Sequence, residues 1–276
     1  MRFSVITPSF RNSDWLKLCI ASVADQAVEV EHIVQDAGSD DGTLDWLPGD
    51  PRVQAFVERD QGMYDAVNRG LRRAQGDILS YLNCDEQYLP GALQSVQQFF
   101  RDNPRVEILF ADFVVVDGAG KYLFHRKVQT PLLYHTWVSH LATFTCATFF
   151  RRSLIADEGL FFDAGLKDVG DGDWMLRVLR RKTPMAVMRR FTSVFTSTGE
   201  NMSARPNARR ERLALLNSAP LWARRLKPLL VLHHRLRRLM GGIYFQKPFT
   251  YALYTSGSPK QRVEQKVDRP NFKWKI

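Results

Sequence analysis

Apolar positions along the first hundred residues fall into two alternating kinds of run. Phe3-Ser4-Val5-Ile6-Thr7, Glu31-His32-Ile33-Val34-Gln35 and Ile78-Leu79-Ser80-Tyr81-Leu82 are short and largely apolar, the length of buried strands. Between the first two, Trp15, Leu16, Leu18, Cys19, Ile20 and Val23 recur at helical spacing, so a helix is expected from about Asp14 to Ala24. A second is expected from about Met63 to Ala74, ended by Gly76, the residue type favoured just past a helix C-terminus. Pro90-Gly91-Ala92-Leu93 reads as another helix start. Further on come strand-like runs at about 107–116 and 143–150, a helix from about Asp173 to Arg180, and a loop, Thr198-Gly199-Glu200-Asn201-Met202-Ser203. Strands alternating with helices predict an α/β fold with a mostly parallel, doubly wound sheet covered by helices on both faces. Ligands of such sheets bind beyond the carboxyl ends of the strands. Thr7-Pro8-Ser9, Asp36-Ala37-Gly38-Ser39 and Asn83-Cys84-Asp85 should therefore converge on one crevice.

Composition changes this picture in one place. Over 276 residues, 45% hydrophobic and 25% charged is ordinary for a globular protein and argues against disorder or a fibre. Three cysteines with no C-x-x-C spacing suit a reducing compartment. No leader-like segment opens the sequence, and no apolar stretch reaches the ~20 residues of a membrane span. A cytoplasmic protein is expected, at most peripheral at the inner face of the membrane. The formal net charge of +10 is uneven: from Arg205 onward stand about 17 Lys and Arg against about 3 acidic residues, leaving the first 204 residues slightly acidic. The chain thus divides into a body, 1–204, and a basic, helical C-terminal extension, 205–276. In the extension, Trp222, Leu226, Leu229, Leu230, Leu232, Leu236 and Leu239 interleave with arginines. Such a helix either lies on an anionic membrane or packs its apolar stripe on the body. A basic cluster is also a nucleic-acid footprint, but no RNA or DNA motif accompanies it, so no nucleic acid is expected.

Four polar segments are candidates for chemistry, each with a plainer reading beside it. Asn83-Cys84-Asp85-Glu86, after a buried strand, offers carboxylates to Mg²⁺ or Mn²⁺, or else is a turn. Asp36-Ala37-Gly38-Ser39-Asp40-Asp41-Gly42 offers a carboxylate to a ribose or base, or is an Asp/Gly/Ser turn. Asp60-Gln61-Gly62-Met63-Tyr64-Asp65-Ala66-Val67-Asn68 opens a helix whose N–H groups can receive phosphate, with Asp65 and Asn68 on one face; alternatively Asp60 caps it. Asp171 and Asp173 open a further helix, where the dipole favours an ionised carboxylate fit for a general base, or simply a cap.

In their order these segments, with Val5-Ile6-Thr7-Pro8-Ser9-Phe10, resemble the family 2 glycosyltransferases of GT-A fold over roughly residues 1–205, and the D-x-G-x-Y-D-A-x-N-x-G stretch resembles a subgroup that builds exopolysaccharide, capsule or O-antigen. The resemblance implies inverting transfer of a sugar from a nucleotide-diphosphate donor, by default a UDP-sugar, to a glycan or lipid-linked acceptor, with residues 1–115 serving the donor and 116–204 the acceptor. It implies that Thr7, Pro8 and Ser9 line the nucleotide, that Asp36 lies near the base or ribose, and that Asp60, Tyr64, Asp65, Asn68 and Asn83 border the donor. Asp85 is then the metal-binding acid for Mg²⁺ or Mn²⁺, and Asp171 the catalytic base with Asp173 beside it. The chain departs from the pattern at Asn83, where a first D-x-D carboxylate is common, at Phe10 and Arg11, and at Gly170, where a glutamate often precedes the base. These departures leave a catalytically degenerate nucleotide-binding relative as the alternative. A nucleotidyltransferase would carry a G-x-G-T-R-type loop after the first strand, which Thr7-Pro8-Ser9-Phe10 is not.

Overall fold

The computed structural model describes residues 1–198 and 206–272; the loop expected at Gly199–Ser203 lies outside them. The chain runs β1 (Phe3–Ser9), α1 (Ser13–Ala24), β2 (Val30–Asp36), β3 (Gln54–Val57), α2 (Met63–Arg73), β4 (Ile78–Tyr81), β5 (Glu86–Tyr88), α3 (Ala92–Asp102), β6 (Ile108–Asp117), β7 (Tyr122–Arg126) and α4 (Leu133–Val138). It continues with β8 (Thr148–Arg151), α5 (Ser153–Ala156), α6 (Gly170–Arg180), β9 (Met185–Ser197), α7 (Pro206–Asn217), α8 (Leu221–Arg225), α9 (Lys227–Met240), β10 (Phe249–Thr255) and β11 (Ser258–Val267).

Among the described residues one sheet has the order β3-β2-β1-β4-β8-β6-β9-β5, with β7 on β6. The first four strands are parallel, as βαβ alternation requires. Beyond β4 the sheet is mixed: β8 runs antiparallel to both β4 and β6, while β9 is parallel to β6. Helices cover both faces. Neighbouring β1 residues point to opposite sides: Thr7 meets Cys19 of α1, with Oγ1 and Sγ 3.7 Å apart, whereas Ile6 lies so close under α2 that a Cβ on Gly70 would fall 2.5 Å from it. Gly76 answers a similar demand. It does not close α2, whose cap is the extended Ala74; instead, a Cβ there would sit 2.6 Å from the β1 backbone.

The run 143–150 splits into a turn at Thr145–Ala147 and the strand β8. The extension is helical only as far as Met240. Beyond it, β10 and β11 pair as an antiparallel hairpin, because Tyr251, Leu253 and Val267 are needed to cover Leu89, Val114, Val116 and Val194 of the body. Arg262 fixes this hairpin to α1 through Asp25, at 2.6 and 2.7 Å, and Gln87 exchanges side-chain hydrogen bonds with the backbone of Tyr254.

Candidate active site

The carboxyl ends of β1, β2 and β4 open onto one crevice of ≈ 2010 Å³, lined there by Pro8, Ser9, Gly38, Asn83 and Asp85. Single small-molecule sites span about 300–1,000 Å³, so this one has room for two substrates together. The loops at its rim are tied to each other. Asp36 is fully buried and accepts four hydrogen bonds, from the Ser9 and Ser39 hydroxyls and from the Gly38 and Ser39 N–H groups, at 2.7–2.9 Å. Arg11 takes a left-handed φ of 53°, a position that suits asparagine better. Its N–H donates to Ser39 Oγ and its guanidinium forks onto Asp40 at 2.6 and 2.7 Å. That ion pair rationalises arginine at this departure from the family pattern.

Of the residues singled out from sequence, Pro8, Ser9, Asp60, Tyr64, Asn83, Asp85 and Asp171 line the crevice together. Five others are occupied elsewhere. Thr7 is buried against His32 Nε2 at 2.9 Å. Asp36 shapes its loop, as above. Asp65 accepts from the Gln61 N–H and from Arg69 at 3.0 Å. Asn68 clips the backbone of Phe162 through both ends of its amide, at 2.8 and 2.9 Å, and so joins α2 to the segment before α6. Asp173 pairs with Arg177 one turn on, at 2.8 Å. Each is a polar side chain consumed by local structure, which its position in a motif does not reveal.

Asp171 sits in the first turn of α6, half-buried. Its N–H donates to the Tyr64 hydroxyl at 3.1 Å, that hydroxyl lies 3.4 Å from Oδ1, and the Gly172 N–H donates to Oδ1 at 2.8 Å. Burial raises its pKa above the ordinary aspartate value, against the pull of these donors toward the carboxylate. A half-buried carboxylate held by two donors, and open to the crevice, is suited to take a proton from a hydroxyl brought to it. Tyr64 is itself wedged: its ring stacks on Phe162 at 5.6 Å, and Phe162 stacks on Trp174 at 5.2 Å. This packing explains Gly170. A Cβ there would lie 2.6 Å from the Tyr64 ring, so the ring would have to shift. Gly170→Ala is therefore expected to displace the Tyr64 hydroxyl from Asp171 and to lower kcat at least ten-fold with nucleotide affinity unchanged; a normal kcat would remove Tyr64 from the role of positioning the base.

Sequence reading named Asp85 as the metal-binding acid and gave Glu86 no role of its own, yet Glu86 begins β5 and is fully buried beside Asp85. The signal was present in its neighbour: two consecutive acids after an apolar strand. One carboxylate oxygen accepts from the Asn83 N–H at 2.8 Å; the other is buried with no hydrogen-bond partner. Burial pushes Asp85 up to about 6, and burial with the charge of Asp85 pushes Glu86 to about 8. Two adjoining carboxyl groups that resist ionising, one with an orphaned oxygen, fit a hard divalent cation, which takes oxygen ligands and would relieve both. Glu86 thus stands beside Asp85 as a second carboxylate where Asn83 offers none.

The family model for glycosyl transferase family 2 matches residues 4–158. An uncharacterized glycosyltransferase of Mycobacterium tuberculosis is 39% identical over 219 residues, 74% of this chain and 79% of its own length. A PGL/p-HBAD biosynthesis glycosyltransferase of Mycobacterium bovis is 28% identical over 209 residues, 72% of this chain and 77% of its own. Among solved structures, S. aureus TarS in complex with UDP superposes with a TM-score of 0.59 at 18% identity, covering 87% of this chain and 72% of that one. The mannosyltransferase PcManGT from Pyrobaculum calidifontis, in complex with GDP-Man and Mn²⁺, gives 0.56 at 15% identity, covering 85% and 75%. These last two likenesses are of fold, and the fold is the GT-A glycosyltransferase fold expected from the motifs. With the family model covering more than half of its length, the chain belongs to glycosyl transferase family 2.

Proposed function

We propose that this glycosyltransferase moves a sugar from a UDP-sugar, with Mg²⁺ or Mn²⁺, to a hydroxyl of a glycan or lipid-linked acceptor, with inversion, in the synthesis of cell-surface polysaccharide. The observation that carries the reading is a base and a pair of metal-fitted carboxyls facing one crevice: Asp171 held by Tyr64, and Asp85 with Glu86. TarS in complex with UDP-GlcNAc and PcManGT with GDP-Man and Mn²⁺ support a nucleotide-sugar and a divalent ion.

Asp171 takes the proton of the acceptor hydroxyl as its oxygen attacks the anomeric carbon. The new C–O bond forms on the face opposite the bond that breaks, and the nucleoside diphosphate leaves with that electron pair. One displacement inverts the centre. Asp85 and Glu86 would hold a divalent ion, which when bound would neutralise charge on the leaving diphosphate. The rim loops fixed by Asp36 and by Arg11–Asp40 keep the β1 and β2 ends at a set spacing for the nucleotide. The test is thermal stabilisation by UDP, GDP and dTDP, each with and without Mn²⁺. A metal-dependent shift for UDP is expected; no shift for any nucleotide would overturn the donor assignment, and a shift without turnover would favour the degenerate relative.

No helix among the described residues is long and apolar enough to cross a membrane. The extension nonetheless has two faces. Ala219, Ala223, Leu216 and Leu230 pack on Val138 and Trp137 of α4, while Trp222, Leu226, Leu229, Leu232, Leu236 and Leu239 are exposed. An apolar stripe rimmed by Arg224, Arg225 and Arg235 suits the interface of an anionic membrane, at about 1 kcal/mol per basic residue near the surface. Vesicles with anionic lipid should retain the protein at low salt, and Leu229→Glu/Leu236→Glu should release it. Equal retention of that variant would move the contact elsewhere.

A further inference from the structure

Between α4 and α9 three histidines meet. His135 and His234 are buried and stack with ring centroids 3.9 Å apart, and His140 lies edge-on to His135 at 4.8 Å. Their ligand atoms all fall within 4.8 Å of one another. Nε2 of His135, Nε2 of His234 and Nε of Arg238 are buried without hydrogen-bond partners, and His140, His234 and Arg238 line the crevice. A buried polar nitrogen without a partner is costly, and a ligand that partnered these groups would relieve that cost.

The cluster has the composition of a zinc site, but two observations point away from a cation. Imidazole lone pairs lie in the ring plane, and the planes of His135 and His234 are within 14° of parallel, so the two rings cannot aim at one ion. The charged neighbours are also cations. Burial, with the neighbouring His234 and His140 and with Arg237, lowers His135 to about 3; burial with His140, Arg238 and Arg237 lowers His234 to about 4; and burial with Arg238, Arg126, Arg212 and Lys227 lowers His140. A neutral imidazole donates from one nitrogen, and a guanidinium only donates. Arg238 Nε is an unpaired donor whichever tautomer the histidines take, and an unpaired donor in a positive field calls for an anion.

We infer that the pocket formed by His140, His234, Arg238, Lys227 and Arg212 binds a phosphoryl group carried by the acceptor. The inference rests on the proposed transfer reaction and narrows its acceptor class. Placement agrees with it: Arg212, Lys227, His140, His234 and Arg238 line the same crevice as Asp171, the base that must meet the acceptor hydroxyl.

The test uses the full chain with ¹⁵N-labelled histidine, with UDP and Mg²⁺ present so that the donor's own phosphate site is filled. Inorganic phosphate and octyl phosphate are titrated separately. Saturable shifts of the His135, His140 and His234 signals are expected, with His32 and His125, which are bonded to Thr7 and Tyr122, as unmoved references. Arg212 and Lys227 are exposed, so Arg212→Gln/Lys227→Gln keeps the fold and should weaken binding at least ten-fold. Octyl phosphate binding ten-fold or more tightly than phosphate would assign a lipid-borne group; equal affinities would assign a phosphate on a soluble acceptor. No saturable shift with either probe, or shifts with Zn²⁺ alone, would overturn the proposal. Thermal stabilisation by UDP and Mg²⁺ on the same sample separates the two readings: if it persists without phosphate binding, only the pocket fails.

Discussion

Asp171→Asn is expected to slow release of nucleoside diphosphate from the donor by about 10²–10⁴-fold, the usual worth of a general base, with donor affinity nearly unchanged. Asparagine preserves the shape and can still accept from the Gly172 N–H, so the Tyr64 contact and the α6 turn should survive. Only proton acceptance is lost. The pH profile gives an independent check. The base works ionised, and burial holds its pKa above the ordinary aspartate value. Wild-type kcat/KM should therefore rise with pH through that elevated pKa and fall away on acidification earlier than an ordinary aspartate would allow. The asparagine variant should keep a low residual rate without that acidic limb. A variant with near-normal turnover would remove Asp171 from the mechanism.

Asp85→Ala should abolish the metal-dependent part of nucleotide stabilisation. A ligand at a hundred times its Kd stabilises by about 2.7 kcal/mol, which for a protein of this size is a shift of several degrees, and the variant should lose it. The unliganded variant should not be weaker than wild type. The charge of Asp85 is one of the influences that raises Glu86, so its removal eases ionisation of the remaining buried carboxyl. Loss of the ligand shift with an unchanged or raised unliganded Tm separates loss of a metal site from misfolding. A UDP shift that keeps its metal dependence would place the ion elsewhere.

The parallel half of the sheet was legible because β1, β2 and β4 are apolar runs flanked by turn residues, and strand order then forces their carboxyl ends together. Strands β5, β9, β10 and β11 were not. β5 has three residues and begins with a buried glutamate, which on its own reads as a turn. β9 carries Arg189 and Arg190 in its middle, where its pairing with β6 shifts register. β10 and β11 follow a helical, basic stretch and draw their apolar pattern from the body surface they cover. At the site, motif order located Asp85 and Asp171. It could not tell a crevice residue from one whose partner is distant in sequence, as Asn68 is from Phe162. The histidine cluster left no trace in spacing, since His135 and His234 lie far apart in sequence, on α4 and α9, and meet only because α9 packs on α4.

The hairpin bears on the order in which this protein can be assembled. Its partners are Asp25, Tyr88 and Gln87, so the bonds from Arg262 and Tyr254 close loops of 237, 174 and 167 residues. During synthesis from the N-terminus, the parallel strands can pair while the apolar face of Leu89, Val114 and Val194 is still bare. That face stays available to wrong partners until the segment 249–267 emerges. Closure of such long loops is slow, so the final folding step should be docking of the hairpin, and chaperones should engage the nascent chain at the wall it will cover.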